Sequence, residues 1–294
     1  MRSPSFTTRS KSKKAGLVLF PFFILLFTFA AAAQRVAILT SDNSEQSNAV
    51  AESLSEALST RLKVIDSDLS KAAFNSKKPT DPFNMTADES KRAGAAIGCD
   101  QLILIRAANQ RRSAFGRAEY YEAYAVIYVV SSRTGRLIHW ALHKTEAKVP
   151  AAAAKLLNDT TTVIADEIKA KIDVAAKAEV AEAPLSFMEE PPEANSPNAK
   201  NFIAPIPFRR IKPEYTADAS FYEVTATVEL MVDLDATGKI LRTEIVRWAG
   251  YGLDESVERA VRQMNWRPAE RNGKTLPMRF LLRYNFKKVD KEPL

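Results

Sequence analysis

Between Ala175 and Pro207 the periodic apolar pattern that runs through the rest of the chain stops, and this gap limits the folds open to it. The stretch is made of Ala, Glu, Pro, Asn and Ser and includes Glu189-Glu190-Pro191-Pro192 and Pro205-Ile206-Pro207. Proline has no amide donor and a fixed φ, so such a run builds neither a helix interior nor a central strand. Residues 176–204 therefore read as a linker, which as extended polyproline-like chain would reach about 90 to 100 Å at ~3.1 Å per residue. Dividing the 294 residues there leaves residues 34–175 and 205–294, each of a size that can bury its own core. The expected fold class is α+β: an N-terminal α/β sandwich-like domain with a mixed sheet, a Pro-rich linker, and a small C-terminal domain with a three-stranded antiparallel sheet and helices. Whether the two units touch is not written in the sequence.

Ahead of them lies a segment of different chemistry. Arg2, Arg9, Lys11, Lys13 and Lys14 precede an apolar run from Ala15 to Ala33 that ends in three alanines, and no acid occurs in residues 1–33. This is the form of an export signal cleaved before Gln34. The run is also close to the ~20 residues that span a bilayer, so the competing reading of residues 15–33 is a retained inner-membrane anchor, which Pro21 and the alanine run weaken. Both readings place the remainder in the periplasm. Of the 42 basic residues five belong to this leader, and beyond it 37 basic residues face 35 acidic ones, a balance of +2. The basic character is thus local, and a nucleic-acid partner is not expected. At 46% hydrophobic and 26% charged residues, the composition excludes wholesale disorder and a multi-spanning transporter. The single cysteine, Cys99, excludes an intramolecular disulfide.

The N-terminal unit alternates strand and helix signals. Val36–Leu39 is a short apolar run of strand length, and Val50, Leu54, Leu58 and Leu62 recur at helical spacing. Lys63–Asp66 reads as a second strand and residues 75–84 as a loop. Thr86-Ala87-Asp88-Glu89 has the capping-box form of a helix start, with a stop expected near Gly98. Leu102–Ile105 reads as a buried strand; Tyr120–Ser131 and Arg136–Glu146 flank a turn at Arg133-Thr134-Gly135. One closing helix is expected from Pro150 to Ile172. In the C-terminal unit, Val224–Leu234 and Ile240–Trp248 flank an Asp235–Gly238 turn. A helix through Leu253, Val257, Val261 and Met264 follows, then a last strand Met278–Phe286 with Met278, Phe280, Leu282 and Tyr284 on one face.

Lys212-Pro213-Glu214-Tyr215, the strand and turn from Val228 to Gly238, Leu253-Asp254-Glu255, Asn265-Trp266-Arg267-Pro268-Ala269 and Asn272-Gly273-Lys274 occur in this order before the final apolar strand. Through these residues the segment 205–288 resembles the TonB C-terminal domain family. Where that family often has Glu-Gly and later serines, this chain has Glu223-Val224 and Trp248-Ala249-Gly250. The resemblance implies a periplasmic domain that engages a short extended segment, the TonB box, of an outer-membrane receptor or another envelope protein. An exposed sheet edge offers unpaired backbone groups on which such a segment can add as a strand. Arg279, Leu281, Arg283 and Asn285, alternating along the last strand, are the candidate rim positions beside it, or else a solvated face. The family's energy transducers also work through an anchor histidine with an inner-membrane proton-driven complex. Residues 15–33 contain no histidine, so an adaptor is the first reading, with an anchored transducer or an accessory regulator of a wall or secretion assembly as alternatives. The N-terminal unit is similar to periplasmic domains of the CsgG, LpoB and TolB amino-terminal type through Gly98-Cys99-Asp100-Gln101-Leu102-Ile103 and Ser132-Arg133-Thr134-Gly135-Arg136.

Enzymatic chemistry has no positive sign. His139 and His143, with Glu146 nearby, lie four apart on an expected strand, ~13 Å from one another, too far to share one metal ion without bending. Gly250-Tyr251-Gly252 lacks the further glycine and lysine of a phosphate loop, and no nucleophile elbow occurs. No cofactor is expected. Arg106, Arg111, Arg112 and Arg117 gather around one strand connection, as a contact for an anionic polymer or as a solvated turn. Asn84-Met85-Thr86 and Asn158-Asp159-Thr160 have the form of glycosylation sequons.

Overall fold

The computed structural model describes residues 34–40, 42, 44–182 and 188–288, apart from the side chains of residues 114 and 117. The leader, residues 1–33, lies outside the described residues. The N-terminal elements are β1 (Arg35–Thr40), α1 (Glu45–Ser59), β2 (Lys63–Val64), α2 (Ser67–Ser76), α3 (Ala87–Ile97), β3 (Gln101–Ala114), β4 (Arg117–Ser131), β5 (Leu137–Ala147), α4 (Pro150–Asp159) and α5 (Thr161–Ala181). They form a five-stranded mixed sheet in the order β2-β1-β3-β4-β5, parallel through β2-β1-β3 and antiparallel from β3 to β5. Strands β1 and β3 are apolar on both faces, as burial from two sides requires. Val36, Ile38, Ile103, Ile105, Ile127 and Val129 pack under α1, α4 and α5 with Leu54, Leu157 and Ile168.

The alternate set, Ala37, Leu39, Leu102, Leu104, Val126 and Tyr128, faces the opposite way. Its cover is Phe83 and Met85 from the chain entering α3, together with Trp248, Ala249 and Tyr251 from the C-terminal part. That part comprises β6 (Phe202–Ile203), β7 (Ile206–Pro207), α6 (Ala217–Phe221), β8 (Ala226–Leu234), β9 (Ile240–Arg247), α7 (Leu253–Arg262), β10 (Trp266–Arg267), β11 (Ala269–Arg271), β12 (Lys274–Leu276) and β13 (Met278–Phe286). A three-stranded antiparallel sheet runs in the order β13-β8-β9, and α7 lies on one face of it with Leu253, Val257 and Val261 turned inward. The class is α+β.

The two parts share one apolar cluster and a set of directional bonds, so together they form one unit. The Tyr128 hydroxyl donates to the Ala249 carbonyl at 2.8 Å, and the fully buried Trp248 donates its indole N–H to the Gly135 carbonyl at 3.3 Å. Asn84 acts as a bracket: its amide nitrogen donates to the carbonyls of Thr227 (2.8 Å) and Trp248 (2.7 Å), and its oxygen accepts from the Thr227 amide at 3.0 Å. At the rim Arg136 binds Glu182 at 2.8 Å and Glu244 at 2.7 Å. Gly250 has φ +69°, and a Cβ there would come within 2.6 Å of the Tyr128 ring. Only glycine accepts that backbone and that approach together.

Local readings hold where a cap or a stripe specifies them. Thr86 and Glu89 form the reciprocal capping box, and Gly98 ends α3 in the left-handed conformation. The single closing helix is instead two, because the chain pauses at Thr160, the C-cap of α4 and N-cap of α5, and α5 continues to Ala181. Helix α2 was not expected; its buried residues are only Ser70 and Phe74, and its start is set by Asp66, whose carboxylate accepts from the amides of Asp68 and Leu69.

Candidate functional site

Strand β13 pairs with β8 without a bulge over all nine residues, from Met278↔Leu234 to Phe286↔Ala226, and among the described residues no strand flanks it on the other side. Backbone groups of an antiparallel strand point to alternate sides. The phase is fixed by the Arg279 amide, which donates at 2.8 Å to the Glu189 carbonyl, away from β8. The N–H and C=O groups of Arg279, Leu281, Arg283 and Asn285 therefore line the open edge, while those of Phe280, Leu282 and Tyr284 hold β8.

The side chains of the same four residues stand on the sheet face opposite α7. Arg279 makes a two-pronged pair with Asp233, Nε to Oδ1 and Nη2 to Oδ2, each at 2.7 Å. That carboxylate raises the Arg279 pKa above its ordinary value, partial burial opposing it. Arg283 reaches Glu229 at 2.6 Å, and Arg247 approaches the same carboxylate at 3.3 Å from β9. Asn285 accepts from the Thr227 hydroxyl at 2.8 Å. Leu281, 45% exposed, is the one apolar member. The carboxylates of Asp233 and Glu229 thus draw both arginine side chains onto the sheet face and away from the strand's backbone edge.

Beside this edge runs a cavity of about 850 Å³. Ile206, Ile211, Met231, Trp266 and Leu281 give it apolar walls, and Arg279 and Arg283 also line it, as do Glu190 and Pro191. Three of the four candidate residues border the cavity; Asn285 stands beyond it on the same edge. The contributions of Glu189, Glu190 and residues 204–211 had no signal in the sequence, because a proline-rich run carries no periodicity from which a fold-back onto a strand can be read.

Other singled-out residues have structural partners. The guanidinium of Arg106 lies 4.4 Å over the Phe83 ring, Arg111 pairs with Glu119, and Arg112 pairs with Glu122 at 2.9 Å while lying 4.5 Å over Phe221. The Arg117 side chain lies outside the described residues. His139 and His143, although four apart in β5, both lean to Glu167, at 3.1 and 3.9 Å, so their ring tips converge more than their strand spacing implies. Burial lowers the pKa of both rings. Among the described residues no group of three or more His, Cys, Asp or Glu is arranged to hold a metal. Cys99 is buried, 3.3 Å from the Ser132 hydroxyl, and burial pushes its thiol pKa up. Gly250 and Gly252 serve the turn before α7, whose Asp254 accepts from the Ala249 and Gly250 amides at 2.9 and 2.8 Å. Among the described residues no helix is long and apolar enough to cross a membrane.

Residues 211–287 match the family model of the Gram-negative bacterial TonB protein C-terminal. No curated protein matches the chain. Among solved structures it is similar to the TonB C-terminal domain of Pseudomonas aeruginosa, at 17% identity and a TM-score of 0.26, over 37% of this chain and 100% of that one. It is also similar to lipoprotein GNA1162 of Neisseria meningitidis, at 12% identity and a TM-score of 0.33, over 46% of this chain and 97% of that one. The C-terminal domain of LpoB from Salmonella enterica follows at 13% identity and a TM-score of 0.26, over 38% of this chain and 82% of that one. The match over residues 211–287, together with the order of the motifs it contains, assigns the C-terminal part of this chain to the TonB C-terminal domain family.

Proposed function

We propose that this is a periplasmic envelope protein whose TonB-type domain takes an extended segment of an outer-membrane receptor, or of another envelope protein, as an added strand on β13. The observation that carries the reading is the run of outward N–H and C=O groups at Leu281, Arg283 and Asn285 alongside the apolar cavity of about 850 Å³. Main-chain bonds to that edge supply affinity, and side chains at every second position of the incoming strand enter the cavity and supply selectivity. The N-terminal sheet, joined to the same apolar cluster, holds the edge at a fixed orientation in the molecule. Binding, and no catalysis, is the function.

The test is a titration of the full chain with a synthetic peptide carrying the TonB box of an outer-membrane receptor, followed by amide hydrogen exchange. Strand addition slows exchange at Leu281, Arg283 and Asn285 and leaves Leu282 and Tyr284, already bonded to β8, unchanged. Binding that protects a surface elsewhere, or no binding to peptides from any receptor tested, refutes the reading.

A further inference from the structure

We propose that the chain's own segment Glu189–Pro191 is a built-in occupant of the β13 edge, one that an incoming strand reaching Arg279 must displace. The proposal rests on strand addition at β13 and adds its regulation.

Four amides of β13 face outward, and among the described residues only that of Arg279 has a backbone partner, the Glu189 carbonyl at 2.8 Å. A second contact holds the same residue, since the Glu189 carboxylate pairs with the Arg271 guanidinium in β11. Arg271 is itself placed by its neighbours, lying 5.6 Å from the centre of the Phe202 ring in the adjoining strand β6. The next residues, Glu190 and Pro191, lie along the cavity wall where a docked segment would pass.

The chemistry of the segment keeps this contact short. Pro191 and Pro192 have no amide hydrogen, so a ladder begun at Glu189 finds no donor at the two prolines. One backbone bond and one half-exposed ion pair are weak contacts in isolation. Tethering offsets that weakness, because a segment carried on the same chain competes at an effective concentration in the millimolar range. The result is an edge open at Leu281, Arg283 and Asn285 and closed at Arg279. A segment that pairs along the full strand binds only by expelling Glu189.

The experiment compares the full chain with Glu189→Lys, which sets like charge against Arg271, and with a variant whose residues 189–192 are replaced by Gly-Ser-Gly-Ser. Amide exchange without ligand reads the cap directly. The Arg279 amide should exchange at least about ten-fold more slowly than that of Leu281 in the unmodified chain, and this protection should vanish in both variants. Both variants should then bind a TonB-box peptide long enough to reach Arg279 about three- to ten-fold more tightly than the unmodified chain. Equal exchange at Arg279 and Leu281 in the unmodified chain overturns the cap whatever the peptide does. Lost protection with unchanged peptide affinity overturns the competition while strand addition stands. A peptide that binds none of the three forms overturns strand addition and the competition together.

Discussion

The Tyr128 hydroxyl, on strand β4 of the N-terminal sheet, donates its hydrogen bond to the carbonyl of Ala249, in the turn that starts the helix of the C-terminal domain, at 2.8 Å within an apolar cluster common to both parts. A buried carbonyl that loses its donor costs more than the net value of the bond, because no water replaces it. Tyr128→Phe keeps the ring against Trp248 and removes the hydroxyl alone. It should destabilise the chain by about 1–3 kcal/mol in urea denaturation. Because the cluster is shared, the signals from both parts should disappear in one transition, and two separated transitions in the unmodified chain would show that the parts are not coupled.

Asp254 should make this joint sensitive to pH. Burial pushes its carboxyl up to about 7 from an ordinary 3.8, against the Ala249 and Gly250 amides that favour the carboxylate. The folded chain therefore keeps a proton that the unfolded chain has already released. The associated stability is fully present below about pH 4 and is lost as pH rises through about 7. Between about pH 4.5 and 8 the unmodified chain should lose on the order of 3 kcal/mol relative to Asp254→Asn. Parallel pH profiles of urea stability for the two proteins would contradict this.

Arg279 and Asp233 form a two-pronged pair whose side chains are 18% and 8% exposed. Removing one partner leaves the other charge in a site that water reaches poorly. Arg279→Met should cost about 2–4 kcal/mol, whereas Arg279→Met with Asp233→Leu should recover most of that loss. A double-mutant cycle measures the coupling directly, and additive losses would mean the pair contributes nothing of its own.

What the sequence made legible were features written within a few residues. Met278–Phe286 alternates apolar and polar residues except at Leu281, and the observed strand has those bounds with Met278, Phe280 and Phe286 buried. Thr86 and Glu89 announce their helix because the capping bonds join residues three apart. By contrast α2 has no apolar stripe, and Thr160 interrupts the closing helix within a run of threonines that no spacing rule singles out. The joint was invisible for a different reason. Tyr128 and Ala249 are 121 positions apart, and no local pattern records that an outward alternate of a central strand is covered by a distant turn. The same holds for the site: the alternating candidates on β13 could be read from periodicity, but Glu189, 90 positions from its partner Arg279, could not.

The phase of β13 gives the sharpest test of whether the backbone of this edge, and not merely its side chains, is what a partner uses. Proline at an outward position removes an amide that β8 does not use, whereas at an inward position it removes a ladder bond. Leu281→Pro should therefore fold, with a loss of about 1 kcal/mol or less from its partly exposed side chain and altered φ. Leu282→Pro, one residue on, should lose about 3 kcal/mol or more, since Leu282 pairs with Leu230 at the centre of the sheet. Leu281→Ala controls for the side chain. If a partner adds as a strand, Leu281→Pro binds a TonB-box peptide at least about ten-fold more weakly than Leu281→Ala does, because a backbone bond is lost and the approach of the strand is blocked. Equal affinities for the two variants, with both folded by far-UV circular dichroism, would mean that the edge amides take no part and that recognition belongs to the cavity walls alone.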